Sequence, residues 1–379
     1  MTSMSDPTVS VVMASYNHER FVHETVASVM AQTFQDFEFV VTDDGSADAT
    51  ADIIASFGDQ RIHLTRFERN RGAGVAANHG LLNCRGRYIA IINSDDAFVP
   101  HKLETQSRYL DAHPEVVAVF TWAQMVDEFG VAFSDTTHPH FSLFDQPNRS
   151  RHAWLNTFFM QGNCLCHPTL MIRADVYRAL GYYDERLQQL PDLDMWVRVC
   201  MRYDIHVLPA RLTRFRLRSD HGNVSSATPD VVARSMWEYR RIFEHYFGFS
   251  AQDLIRVFPG ACVGFEVEDA DVPYVLARIA LDTRSGVREL FGLETLHALL
   301  GSPAAARLEQ RFGFTATDLL RLARDADPFS LSRVARLGAR VAELQAEIDR
   351  FAQAARVSAP ARPRSMLMNV LASAFRFRR

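Results

Sequence analysis

Four short apolar runs, rich in β-branched and aromatic residues, punctuate the first hundred residues at 8–14, 37–41, 61–66 and 88–92. Helical patterns separate them. Phe21, Val22, Thr25, Val26, Val29 and Met30 recur at a spacing of three and four, and residues 74–82 read as another helix. The segment after Ser46 reads as a helix entry, with that hydroxyl as its cap and Asp48 in its first turn. Strands joined through helices need crossover connections. The predicted class is therefore α/β: a mostly parallel sheet with helices on both faces. Ligands of such sheets bind beyond the carboxyl ends of the strands. Three polar clusters fall at those ends: Ser15-Tyr16-Asn17, Asp43-Asp44-Gly45-Ser46 and Asn93-Ser94-Asp95-Asp96.

The pattern is less regular further on. Residues 116–120 and 168–173 read as strands, 192–201 as a helix, and 205–208 with 212–217 as a closing pair of strands. The aromatic, His-rich stretch 133–154 between them reads as a loop or small edge subdomain. From about Val231 the signal is helical. Residues 334–351 have apolar spacing close to a heptad, over a length short for a coiled coil. The tail from Phe351 carries six arginines and no acid, and its stretch 366–377 suits a basic amphipathic segment at an anionic lipid surface. The expected units are 1–228, a helical domain over 229–330, and a short helix with basic tail over 331–379.

Composition narrows the function. A net charge of −4 argues against nucleic acid as a partner. Lys102 is the only lysine among 41 basic residues, and no G-x-x-x-x-G-K-[ST] loop occurs, which excludes a P-loop nucleotidase. The five cysteines read as reduced thiols. Cys164-x-Cys166-His167 lacks the second ligand pair a zinc site needs. Neither a secretory signal nor an apolar run of spanning length is evident, so the expected location is cytoplasmic, with peripheral contact at the inner membrane face as an option.

Adjacent carboxylates at a strand end repel unless a cation is shared. Asp95-Asp96 therefore suits Mg²⁺ or Mn²⁺ with a diphosphate, or else a turn whose Asp caps the next helix. Asp43 or Asp44 could accept from a nucleobase or simply close an Asx turn. Arg71-Gly72-Ala73-Gly74 opens a helix where arginine and free amides could meet phosphate. Pro191-Asp192-Leu193-Asp194-Met195-Trp196 could hold a general base against an aromatic wall, or could be ordinary helix capping.

Taken in order, these blocks resemble the inverting, non-processive family 2 glycosyltransferases of GT-A fold. The resemblance rests on residues 9–17, on Asp43-Asp44-Gly45-Ser46 with Asp48 and Thr50, and on Asn70-Arg71-Gly72 through Gly80. It continues through Asn93-Ser94-Asp95-Asp96 with Pro100 and Leu103, His167-Pro168 to Arg173, Gly181-Tyr182-Tyr183-Asp184-Glu185, and Asp192 through Arg198. It covers roughly residues 7–226. It implies a nucleotide-sugar donor, a glycan or lipid-linked acceptor and hexosyl-type transfer in cell-surface polysaccharide synthesis.

Residue by residue, the resemblance implies that Ala14, Ser15 and Tyr16 line the base and ribose pocket, with Asp43 or Asp44 reading the base. Arg71 would lie near the phosphates and Asp95 on the donor ribose or sugar. Asp96 would be the direct metal ligand, with His221 in a late loop over the diphosphate. Asp192 would be the catalytic base, and Asp194 and Trp196 would lie on the acceptor side. Two positions depart from the pattern: Asn93 stands for the first carboxylate of D-x-D, and Pro191 for the acid before the base. The Q-x-x-R-W block of processive synthases is absent. A nucleotidyltransferase would leave the Asp192 block without a role. A non-catalytic nucleotide-sugar-binding or scaffold protein of the same pathway is the alternative reading. The helical part could dimerise, position a lipid-linked acceptor, or brace the catalytic domain.

Overall fold

The computed structural model of the 379-residue chain describes residues 6–134, 141–218, 228–262 and 266–358. The first half alternates β1 (Val9–Ser15), α1 (Val22–Met30), β2 (Phe37–Asp43), α2 (Thr50–Ser56), β3 (Ile62–Arg66), α3 (Ala73–Leu82) and β4 (Tyr88–Ile91). There follow β5 (Ala97–Phe98), α4 (Lys102–Ala112), β6 (Val116–Val126), α5 (Arg151–Met160), β7 (Met171–Arg173), α6 (Ala174–Leu180), α7 (Pro191–Cys200) and β8 (Asp204–Arg216). The rest is helical: α8 (Pro229–Ile242), α9 (Ala251–Val257), α10 (Val272–Asp282), α11 (Gly286–Leu300), α12 (Ala304–Phe312), α13 (Ala316–Asp325) and α14 (Leu331–Ser358).

The eight strands form one sheet in the order β3-β2-β1-β4-β7-β6-β8-β5. β3, β2, β1 and β4 are mutually parallel, which confirms the crossover reading. β7 enters antiparallel between β4 and β6, β8 runs parallel to β6, and β5 pairs antiparallel with β8. Because side chains alternate along a strand, β1 serves two cores. Val9, Val11 and Met13 pack with Val22, Val26 and Val29 of α1 and Ile54 of α2. Val12 packs on the other face with Leu81 of α3, in a cluster that continues through Trp154, Phe158, Trp196, Phe243, Leu276 and Phe291. The helices beyond residue 228 thus share the hydrophobic core of one sheet face.

Three expectations need correction. Ser46 does not cap α2. Its hydroxyl turns back to donate to Asp43, and α2 begins at Thr50 with no side-chain cap. The two closing strands are one long strand, β8, whose pairing with β6 slips register near Trp122. The stretch read as a loop to residue 154 ends inside α5, which Ser150 caps through the Ala153 amide and which buries Trp154 completely. Among the described residues no helix is long and apolar enough to cross a membrane. His221, residues 135–140 and the basic tail 366–377 lie outside the described residues.

Candidate active site

The carboxyl ends of β1 and β2 are tied together by the residues the sequence singles out. Ser15 and Asp43 are directly paired, and the Ser15 hydroxyl donates to Asp43 Oδ1 at 3.1 Å. Asp43 is fully buried and also accepts from the Ser46 amide (2.9 Å) and hydroxyl (2.6 Å). Asp44 accepts from the amides of Arg71 (2.7 Å) and Gly72 (2.9 Å), drawing the start of α3 against the β2 end. Gly45 allows this approach. Its φ is +72°, and a Cβ there would sit 2.5 Å from the carbonyl carbon of Arg69. Beside it is a cavity of about 250 Å³ lined by Gly45, Ser46, Arg66, Phe67 and Glu68. Ala14 is half-buried, Tyr16 is 44% exposed, and the exposed Arg71 lays its guanidinium over the Phe67 ring, 4.8 Å from its centroid.

The turn after β4 is held by a residue from the far end of the sheet. Arg216, the last residue of β8 and itself buried, donates its backbone N–H to Asp96 Oδ1 and its Nε to the Asp95 carbonyl, both at 2.8 Å. Its remaining guanidinium nitrogens reach the carbonyls of Asp127 and Glu128 and the Glu24 carboxylate. The Asn93 amide donates to Asp96 Oδ2 at 2.9 Å. The missing first carboxylate is thus a donor that supports its neighbour, where a third acid would repel it. Burial first, and then the charge of Asp95, push the Asp96 carboxyl well above the usual range.

The two adjacent acids differ in their hydrogen bonding. Both oxygens of Asp96 are engaged, whereas the Asp95 carboxylate accepts no hydrogen bond among the described residues. The Asp95 carboxylate is thus the one left open at this turn. No group of three or more His, Cys, Asp or Glu converges among the described residues. The Cys164-Cys166-His167 cluster also does not converge. His167 instead meets the Tyr183 hydroxyl at 2.8 Å, and burial lowers its pKa to about 4.

Asp192 stands in the first turn of α7. It accepts from Asn163 Nδ2 at 2.6 Å and from the Leu193 amide at 2.8 Å. Burial raises its pKa to about 6, against those two hydrogen bonds, and Glu238 adds a smaller upward push. The thiol of Cys166 is raised by burial and further by the charges of Asp96 and Asp192.

The other α7 candidates do not join Asp192. Residues two apart on a helix point about 200° apart. Asp194 accordingly lies buried on the other side, accepting from Arg198 Nε at 2.8 Å and lying 2.7 Å from His245 Nε2. Trp196 is 1% exposed and packs edge-on against Phe120 in the core. Both residues expected on the acceptor side are therefore buried in this structure.

Long-range residues complete the site. Glu238 of α8 is buried, and its carboxylate collects three backbone amides just ahead of α7: Gln188 (2.8 Å), Gln189 (2.8 Å) and Leu190 (2.7 Å). Its neighbour Tyr239 accepts from the Asn163 amide at 3.4 Å. Gly162 makes room, because a Cβ there would lie 2.3 Å from the Tyr239 hydroxyl oxygen. The helices after residue 228 therefore brace the Asp192 segment. Only fold-level contacts reveal this; Glu238 in sequence is one acid on a polar helix.

A mostly parallel sheet with a cavity at the β2 and β3 ends, paired acids after β4 and a half-buried acid in the first turn of α7 has the layout of a GT-A fold. The family model for glycosyl transferase family 2 matches residues 10–180. A glycosyltransferase of Bacillus subtilis named for teichuronic acid biosynthesis, TuaG, is 41% identical over 245 residues, 64% of this chain and 90% of that protein. An uncharacterized glycosyltransferase of Methanocaldococcus jannaschii is 30% identical over 248 residues, 64% of this chain and 81% of that protein. The chain belongs to glycosyltransferase family 2. The structure of S. aureus TarS residues 1–349 with UDP-GlcNAc shares the fold at a TM-score of 0.53 and 20% identity, over 81% of this chain and 92% of that one. Against the longer TarS chain the match covers 52% of its length at a TM-score of 0.51.

Proposed function

We propose that this glycosyltransferase moves a sugar from a nucleoside-diphosphate donor to a hydroxyl of a glycan or lipid-linked glycan, with inversion, in the building of a cell-surface polysaccharide. The observation that carries the reading is Asp192: a carboxyl fixed by Asn163 and Leu193, with its pKa raised to about 6. A base of that pKa is ionised at neutral pH yet holds a proton better than an ordinary aspartate. TuaG, through its name, supports the polysaccharide setting, and TarS, through its UDP-GlcNAc complex, supports a nucleotide-sugar donor.

In the proposed step Asp192 takes the proton of the acceptor hydroxyl as that oxygen attacks the anomeric carbon. The bond to the diphosphate breaks, and its electron pair leaves on the phosphate oxygen. The Asp43 and Asp44 loops and Tyr16 hold the nucleoside, and Arg71 reaches toward the phosphates. Asp95 would hold Mg²⁺ or Mn²⁺, which when bound neutralises charge on the leaving diphosphate. Asp96 and Arg216 keep the Asp95 turn in place.

Calorimetric titration with UDP, GDP, dTDP and CDP, each with and without Mn²⁺, tests the donor half. Manganese-dependent binding of one nucleotide, lost in Asp95→Ala, is expected. Equal binding by wild type and Asp95→Ala would overturn the metal assignment.

A further inference from the structure

α14 is 28 residues long, about 42 Å, and its apolar stripe is exposed among the described residues. Val334, Leu337, Val341, Leu344, Ile348 and Phe351 are between 41% and 76% exposed. Their spacing alternates three and four. With Val334 as position a of a heptad, Val334, Val341 and Ile348 occupy a, while Leu337, Leu344 and Phe351 occupy d. The stripe is short for a coiled coil read from sequence alone, but here all six of its side chains are left to solvent.

Charge indicates the partner. Residues 334–340 carry Arg336 and Arg340 and no acid, whereas 341–351 carry Glu343, Glu347 and Asp349 against the single Arg350. Within the chain, Arg340 reaches Glu343 one turn on at 2.5 Å, with both more than half exposed. This exposed pair contributes little, and its basic-before-acidic order is the less favourable one within a helix. The polarity is used fully only when the basic half of one helix lies beside the acidic half of another, which is antiparallel pairing with the same sequence.

We infer that α14 is a self-association helix that pairs antiparallel with α14 of a second copy of this chain. In that register Val334 meets the second copy's Phe351, Leu337 meets Ile348, and Val341 meets Leu344. Arg340 and Glu347 both fall at position g, and antiparallel helices bring g beside g, so each dimer gains two Arg340–Glu347 pairs across its interface. Parallel pairing would instead set Arg340 beside Gln345 and stack like-charged halves together.

The test is sedimentation of the full-length protein over a range of concentrations, in reductant, for the wild type and four variants. The wild type is expected to be dimeric. Leu344→Asp, at a side chain exposed in the monomer, is expected to sediment as a folded monomer with unchanged circular dichroism. Arg340→Glu and Glu347→Arg each turn two attractive pairs into repulsive ones and should weaken the dimer about tenfold. The double variant R340E/E347R should regain wild-type affinity. A monomeric wild type, or a dimer that survives Leu344→Asp, would overturn the proposal. So would single charge variants that leave the dimer unchanged, which parallel pairing requires. Binding of wild-type monomer to anionic phosphatidylglycerol vesicles, lost in Leu344→Asp, would assign the stripe to a lipid surface and also overturn it.

Discussion

Glu238→Gln is the substitution that best separates the brace from the chemistry. The Glu238 carboxylate accepts three backbone amides from Gln188, Gln189 and Leu190. Hydrogen bonds to a charged acceptor contribute roughly 1.5–3 kcal/mol each. Glutamine keeps the shape but places an NH₂ group where one oxygen accepted two amides, so at least one amide loses its partner. The expected cost is about 2–4 kcal/mol of stability, small enough for the protein to remain folded at 25 °C. Two effects on Asp192 follow. The 188–190 segment that leads into it loosens, which should lower kcat by about tenfold to a hundredfold, because a base displaced by an ångström loses rate on that order. The negative charge that helps raise the Asp192 pKa also disappears, so the acid limb of the kcat/KM profile should move to lower pH. Chemical denaturation and a pH–rate profile from pH 4.5 to 9 read both effects. A variant that lost stability but kept both kcat and the position of its acid limb would refute the coupling of α8 to the base.

Further expectations come from the same groups. Asp192→Asn removes a buried carboxyl whose folded pKa of about 6 exceeds its unfolded value, so ionisation costs stability as pH rises through that range. The variant should therefore gain about 1–3 kcal/mol at pH 8 and nothing near pH 3.5, read by urea melts at the two pH values. Lys102 is wholly buried, close to Gln106 Oε1 (2.6 Å) and the Leu170 carbonyl (3.4 Å), and burial lowers its pKa to about 7. The unfolded chain then binds the extra proton between pH 7 and about 10.5, so stability should rise with pH over that window and Lys102→Met should flatten the rise. Asp96→Ala should destabilise the turn, because the Arg216 backbone N–H and the Asn93 amide lose their acceptor, while Asp95→Ala leaves melting unchanged and abolishes manganese-dependent nucleotide binding. Equal melting losses in both would contradict the division of labour between them.

The parallel half of the sheet was readable because β1, β2 and β4 are buried on both faces and so carry uninterrupted apolar runs of strand length. The carboxyl-end clusters followed from that order. What could not be read locally was set by direction and by distant partners. Asp192 and Asp194 look equivalent in sequence, yet the helix turns them to opposite sides, one toward Asn163 and the other onto Arg198 and His245. Trp196 has the right type for an acceptor wall but fills the core against Phe120. Asn163, Arg216 and Glu238 carry no motif, and the contacts that place them at the site span 29 to 192 positions along the chain. Trp154 shows the same limit: its aromatic, His-rich neighbourhood reads as a loop or small edge subdomain, whereas α5 turns its ring inward.

Turnover of Asp192→Asn, measured beside its affinity for the preferred nucleoside diphosphate with Mn²⁺, is the decisive comparison. General-base removal should cost roughly 10²–10⁴-fold in kcat while nucleotide affinity stays within about twofold of wild type. Turnover within a few-fold of wild type, with intact binding, would show that another group takes the acceptor's proton and that Asp192 is not the base.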